Sequence, residues 1–117
     1  MEYVIFDLEY SQLDYKNKKL AKDLNIDIPY FLNNEIIQIG AVKIDENLNY
    51  ISGYSRFVKP KFIQKLNKRL INLLPLTEDQ LKTNGIPFNL AIIEFRKFLG
   101  DTNNVTLVTW GNSDINV

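Results

Sequence analysis

A chain of 117 residues, 45% hydrophobic and 24% charged, has the composition of one globular domain large enough to bury a modest core, and its five glycines and four prolines are too few for a disordered linker. It has no cysteine and no histidine, which excludes a disulfide framework, thiolate or imidazole metal sites, and a Ser/His/Asp triad. Carboxylates remain for metal chemistry, and they select hard cations such as Mg²⁺ or Mn²⁺. The formal net charge is zero, which argues against a sequence-indifferent cationic coat for nucleic acid.

Glu2 to Tyr10 is rich in β-branched and aromatic residues and reads as a strand. Val4, Phe6 and Leu8 fall on one face, Tyr3 and Ile5 on the other, so burial on both sides and a central position in a sheet are expected. Nothing here has the basic start and long apolar run of a signal peptide, and no apolar run approaches the roughly 20 residues that span a bilayer. A cytoplasmic location is expected.

Ser11 to Asn34 is polar and lysine-rich, with Leu20 and Leu24 at helical spacing and Pro29 ending any helix there. It reads as a loop insertion with room for a short helix. Glu35 to Asp45 is a second strand, Asp45 to Asn49 a turn cluster, and Tyr50 to Val58 a third strand ending at Pro60. So short a connection makes the second and third strands an antiparallel hairpin. From Lys61 the period turns helical through Phe62, Leu66, Leu70, Leu73 and Leu74, and Pro75 closes that helix. Thr77 and Gln80 form a capping-box pattern for a short helix ending near Gly85. Pro87 opens another, with a stripe of Leu90, Ile93, Phe95, Phe98 and Leu99 running to Gly100. Val105 to Trp110 is a fourth strand, and Gly111 to Val117 has the look of a helix entry. The order predicts an α/β domain built on a mixed sheet with packed helices.

Asp7 and Glu9 are two residues apart on a strand, so their carboxylates emerge on one face about 7 Å apart. Two carboxylates on an otherwise apolar central strand are costly to bury unpaired. A divalent cation would neutralise them; exposure at a strand end or a structural ion pair are the other readings. Asp114 follows the fourth strand in Trp110-Gly111-Asn112-Ser113-Asp114, where an ordinary helix cap explains it equally well. Between Asn47 and Thr77 there is no acid, while Arg56, Lys59, Lys61, Lys65, Lys68 and Arg69 all fall there. That run is either a solvated face or a phosphate-contacting surface.

Val4-Ile5-Phe6-Asp7-Leu8-Glu9, followed by Glu35-Ile36-Ile37-Gln38-Ile39-Gly40-Ala41-Val42, resembles the opening of the DEDD superfamily of 3′-5′ exonucleases, which share an RNase H-like fold. Phe57-Val58-Lys59-Pro60 resembles the family's strand exit. Leu76-Thr77-Glu78-Asp79-Gln80-Leu81, with Ile86-Pro87-Phe88 after it, resembles the approach to the family's first long helix. Trp110 to Asp114 is similar to its second acidic motif, above all in the branch of histone-messenger and small-RNA trimming enzymes and sporulation-inhibitor-like bacterial proteins.

The resemblance implies a two-metal phosphodiester hydrolase acting on a single-stranded RNA or DNA 3′ end. Asp7 would bridge two Mg²⁺ or Mn²⁺ ions, Glu9 would bind the ion that orients water, and Asp114 would be the acid of the second motif. Leu8, Tyr10, Leu76 and Thr77 would meet the terminal nucleotide. Tyr10-Ser11 stands where the family usually has threonine, and Leu73-Leu74-Pro75 lacks the family's Thr-Gly pair. The family's third motif, a histidine or tyrosine that positions water and a fourth acid, has no counterpart in the 117 residues. Residues 1–117 are therefore expected to be the N-terminal portion of a single exonuclease-like domain, weakly active or inactive alone. The alternative is a catalytically dead domain of the same fold used for binding or regulation. Either way the fourth strand would be a sheet edge, and a homodimer through that edge is expected.

Overall fold

The computed structural model describes residues 1–13, 15–29, 32, 34–62, 66, 72 and 77–109. Strand β1 (Glu2–Gln12) leads into helix α1 (Tyr15–Asp23), and β2 (Asn34–Ile44) and β3 (Tyr50–Phe57) come next. Helices α2 (Glu78–Asn84) and α3 (Phe88–Leu99) then precede a 3₁₀ turn (Thr102–Asn104) and β4 (Val105–Thr109). The four strands form one sheet in the order β3-β2-β1-β4, with β1 antiparallel to β2, β2 antiparallel to β3, and β1 parallel to β4. This is the expected mixed sheet. The helix expected from Lys61 to Leu74 and the entry from Gly111 to Val117 lie largely or wholly outside the described residues.

β1 is central, as its composition predicts, but burial is one-sided over its first half. Val4 is fully buried, and the Phe6 ring meets the Phe95 ring of α3 edge-on at 6.3 Å. Ile5, on the other face, is 46% exposed, and so are its register partners Val42 and Val108, each 40%. The reason is architectural: α3 covers the even-numbered face of β1, and no described helix covers this part of the other.

The face of α3 also differs from the expected stripe. Ala91 is completely buried and Phe95 and Phe98 are half-buried, whereas Leu90 and Ile93 face outward. A small residue at 91 lets the helix approach Ile39 and Val58, so the 91, 95, 98 row wins over the bulkier one. Tyr54 of β3 completes an aromatic group with Phe95 and Phe98, at 5.9 and 5.8 Å. Its hydroxyl lies 3.1 Å from Glu94 Oε1 and 3.2 Å from the Ala91 carbonyl oxygen. Burial, then the hydrogen bond and charge of Glu94, push the phenol up to about 12 against the opposing pull of Arg56, so Tyr54 is a neutral donor across the physiological range.

The end of α3 is held from the sheet. Lys43 Nζ donates to the Phe98 carbonyl and, at 3.2 Å, to that of Leu99, and it sits 5.1 Å from the Phe98 ring centroid. A cation on the orphan carbonyls of a helix C-terminus is favourable both as a hydrogen bond and toward the helix dipole. Lys43→Met keeps the stem and removes the charge. It is expected to lower unfolding free energy in urea titration by about 1–2 kcal/mol, with an unchanged slope.

The short-range signals hold. Thr77 caps α2 and exchanges both bonds of a capping box with Gln80, at 3.0 and 3.2 Å. The β2–β3 turn closes on Asp45, whose Oδ1 accepts from Asn47 N at 2.8 Å and Asn49 N at 2.9 Å. The Asn49 N–H, foremost, holds this exposed carboxyl below its ordinary range. The short helix for which the insertion has room is α1, which ends in a Schellman arrangement: Asn25 is left-handed (φ 57), with Ile26 N bonded to Ala21 O and Asn25 N to Lys22 O.

Candidate active site

Asp7 and Glu9 stand on the face of β1 turned away from α3, because Leu8 between them packs with the Ile39, Val58 and Ala91 group on the helix side. Asp7 pairs with Gly40, which offers no side chain to crowd it, and Glu9 pairs with Gln38. Asp7 is exposed and Glu9 half-buried. Each takes part in a further interaction within the fold.

Three features set the pair's surroundings. The described parallel pairing of β1 with β4 runs from Glu2 with Val105 to Phe6 with Thr109, the position just before Asp7. A pocket beyond the carboxyl ends of parallel strands is the usual ligand position in such sheets. The β1–β2 register then slips between Glu9 and Tyr10, Ile37 being the extra residue, and bulges of this kind re-aim side chains next to active sites. Finally, an apolar cluster of Leu13, Ile37, Leu66 and Leu81 adjoins the Glu9 end, with Phe57 and Phe62 packed against it. Phe57 is the register partner of Gln38, which places this cluster on the acids' own face. The carboxylates therefore sit at a step between the covered part of that face and the open part bearing Ile5, Val42 and Val108.

The other expected site residues do not all gather around the pair. Leu8 turns its side chain into the core on the opposite face, and Tyr10 is half-buried just past the bulge. Thr77 spends its hydroxyl on the α2 cap. Leu76 and Asp114 lie outside the described residues. Among the described residues no group of three or more carboxylates forms a metal cage; the donor set consists of two carboxylates on one face, which suits a hard cation with water in its remaining positions.

Residues that composition does not single out also shape the region. Glu35, opposite Ser11 on β2, accepts from Lys61 N at 2.7 Å and Phe62 N at 3.0 Å, tying the chain after Pro60 to the sheet. A glutamate at the start of a strand carries no local signal of that role. Arg56 of the acid-free run is committed to Glu94, 3.1 Å away, rather than free for phosphate; Lys59 and Lys61 are exposed, and Lys65, Lys68 and Arg69 lie outside the described residues.

Comparison with known proteins converges on the same family. The exonuclease family model of the RNase T type matches residues 4–115. The probable 3′-5′ exonuclease KapD of Bacillus subtilis is 37% identical over 84 residues, covering 71% of this chain and 39% of that protein. A solved 3′-exonuclease in a structure concerning 3′-end recognition of histone mRNA stem-loop shares the fold over 97% of this chain and 48% of its own, with TM-score 0.71 at 18% identity. The nuclease domain of 3′hExo, a DEDDh family member bound to rAMP, gives 0.68 at 21% identity over 97% of this chain and 54% of its own. Escherichia coli exonuclease I with a dT13 oligonucleotide gives 0.63 at 11% identity, over 95% and 20%. The chain thus spans about two fifths of its curated relative and a fifth to a half of these solved chains. With the family match running almost end to end, and the fold shared with these solved nucleases, the chain belongs to the exonuclease family.

Proposed function

We propose that this chain supplies the first two acidic ligands of a two-metal 3′-5′ exonuclease site acting on a single-stranded RNA or DNA end. The observation that carries the reading is the placement of Asp7 and Glu9 on one face of the central strand, beside a bulge and next to an apolar cluster on that face. Asp7 would bridge two Mg²⁺ or Mn²⁺ ions, Glu9 would hold the ion nearer the attacking water, and Asp114 would join them from the second motif. When bound, such an ion pair lowers the pKa of water and offsets charge on the departing 3′ oxygen. The chain's own part is to orient the two carboxylates on a hydrogen-bonded strand. The apolar step of Leu13, Ile37 and Leu81 would limit water on one side. Leu8, through its backbone, and Tyr10, Leu76 and Thr77 would bound the terminal nucleotide.

These 117 residues contain no histidine to position the nucleophilic water, and a positioned base typically contributes about 10²–10⁴-fold. Turnover by the chain alone is therefore expected to be weak or absent. The same observation favours a second reading, a catalytically dead domain of this fold used for binding or regulation. Incubation with a 5′-labelled single-stranded oligonucleotide and Mn²⁺ is the test: a ladder from the 3′ end that needs Asp7 supports catalysis, and its absence at micromolar protein means that these 117 residues are not by themselves an enzyme. A cytoplasmic setting, whose reducing conditions disfavour the disulfides this sequence does not use, belongs to this reading as well.

Homodimerisation is part of the proposal. Among the described residues β4 pairs only with β1, at the sheet's edge, and Leu107 and Val108 are 51% and 40% exposed. An unpaired apolar edge is a template for another strand. Light scattering should show a mass that rises toward twice the chain's with concentration, and a monomer throughout the micromolar range would end that part of the proposal.

A further inference from the structure

The insertion between β1 and β2 carries charge that the candidate active site does not use. Helix α1 holds Lys16, Lys18, Lys19 and Lys22 within nine residues, all four exposed, against a single acid at its last position, Asp23. None of the four makes an ion pair among the described residues, where Arg56 with Glu94 is the salt bridge present. The helix is anchored by its other side, through buried Asn17 and Ala21, and its end is fixed by the Schellman turn at Asn25. It is thus a firm support for its lysines. Lys18 and Lys22, four residues apart and so on one helical face, line a depression of about 750 Å³ with Asn25, Ile26, Asp27, Ile28 and Pro29. The wall combines two cations with one carboxylate, an amide and three apolar side chains.

Two placements give this surface meaning. α1 begins three residues after β1, the strand that carries Asp7 and Glu9, and it does so from the end at which those acids lie. Ile28, which lines the depression, also packs against the apolar cluster beside Glu9, so the depression and the acid step share a wall. The molecule as a whole is neutral, so attraction for a polyanion has to be local.

We propose that α1 is a backbone-tracking surface for the single-stranded nucleic acid whose 3′ end enters the Asp7 and Glu9 site, with Lys18 and Lys22 contacting phosphates upstream of the scissile bond and Lys16 and Lys19 extending the track. The inference rests on the exonuclease reading for the identity of its ligand. Contact with phosphate rather than bases makes it indifferent to sequence, and the apolar wall of Ile26, Ile28 and Pro29 gives unstacked bases a surface to lie on. An anionic membrane surface is the competing occupant of such a helix, and α1 disfavours it because its anchored face is occupied by the fold, leaving no apolar stripe to insert.

The test is binding of a 5′-labelled 20-nucleotide single strand, measured by fluorescence anisotropy in EDTA, so that metal at the acids does not contribute, across a series of salt concentrations. Each lost phosphate contact removes about 0.7 from the slope of log affinity against log salt for single strands, so Lys18→Gln/Lys22→Gln should lower the slope by about 1.4. Affinity should then fall about 25-fold at 0.1 M salt and scarcely change at 1 M. Asp79→Asn, an exposed acid on α2, is the control and should leave the slope unchanged. Glutamine keeps helix propensity, and circular dichroism checks that the double variant stays folded. An unchanged slope and affinity in the folded double variant overturns the proposal, even if the chain makes a 3′ ladder with Mn²⁺. A lysine-dependent slope in a chain whose Mn²⁺ binding heat does not depend on Asp7 upholds the track and counts against the exonuclease reading alone. Binding to phosphatidylserine vesicles but not to the oligonucleotide assigns α1 to a membrane surface and overturns it.

Discussion

Asp7→Asn is expected to abolish the binding of Mn²⁺, and with it any metal-dependent 3′ laddering the chain gives, while leaving the fold intact. The substitution keeps the shape of the side chain and removes its charge. Asp7 is exposed and lies opposite Gly40, so the amide has room and water available. In the proposed site Asp7 would bridge two cations, so its loss would affect both, and removal of one pre-organised electrostatic group typically slows reaction about 10²–10³-fold. Titration calorimetry with Mn²⁺ should lose its heat in the same variant. Urea unfolding without metal should remain a single cooperative transition, its midpoint moved only by the interaction Asp7 makes within the fold. Undiminished Mn²⁺ heat in Asp7→Asn would remove Asp7 from the metal site whatever the activity. Glu9→Gln should show the same pattern for metal but perturb stability more, because Glu9 is half-buried beside the bulge.

The second large effect is structural. Gly85→Ala is expected to destabilise the domain by about 2–4 kcal/mol, in the range of severe overpacking of a fixed site. The glycine has φ −68, which any residue adopts, so space rather than backbone freedom is the issue. A Cβ there would come within 2.6 Å of the Leu81 carbonyl oxygen and 2.7 Å of Lys59 N. Both are backbone atoms and neither can swing aside. Gly85 N bonds to Leu81 O at 2.9 Å, Lys59 N to Ile86 O at 2.8 Å, and Ile86 N to Phe57 O at 3.0 Å. The added methyl must break this set, which fastens the junction of α2 and α3 to the exit of β3. Gly40→Ala is the control: its Cβ would have Asp7 O at 3.9 Å as its nearest neighbour, and it should cost little. Equal urea midpoints for Gly85→Ala and wild type would disprove the close approach.

Much of this architecture is written in local sequence. The capping box at Thr77 and Gln80, the turn at Asp45 to Asn49, and the hairpin of β2 with β3 depend on residues within a few positions of one another, so a linear reading recovers them. The family resemblance is equally legible, because Asp7, Glu9 and the run from Glu35 to Val42 keep their order and spacing. Where sequence and structure part, the property belongs to neighbours. Ile5 is as apolar as Val4, yet only Val4 is covered, since coverage depends on where α3 lands. Leu90 and Ile93 are larger than Ala91, yet the helix turns Ala91 inward because close approach to the sheet requires a small residue.

The sequence by itself determined the family, the order of the elements and the candidate acid pair, since these depend on residue type and spacing along one strand. Only the packed chain shows which face of β1 bears the acids, that a bulge and an apolar cluster adjoin them, and that Lys43, Glu35 and Gly85 fasten distant segments together. It also gave the lysines of α1 an anchored helix and a shared wall with the site. The physical reason is the same in each case: burial, register and close approach are relations between segments tens of residues apart, and no local pattern of side chains encodes which of them will meet.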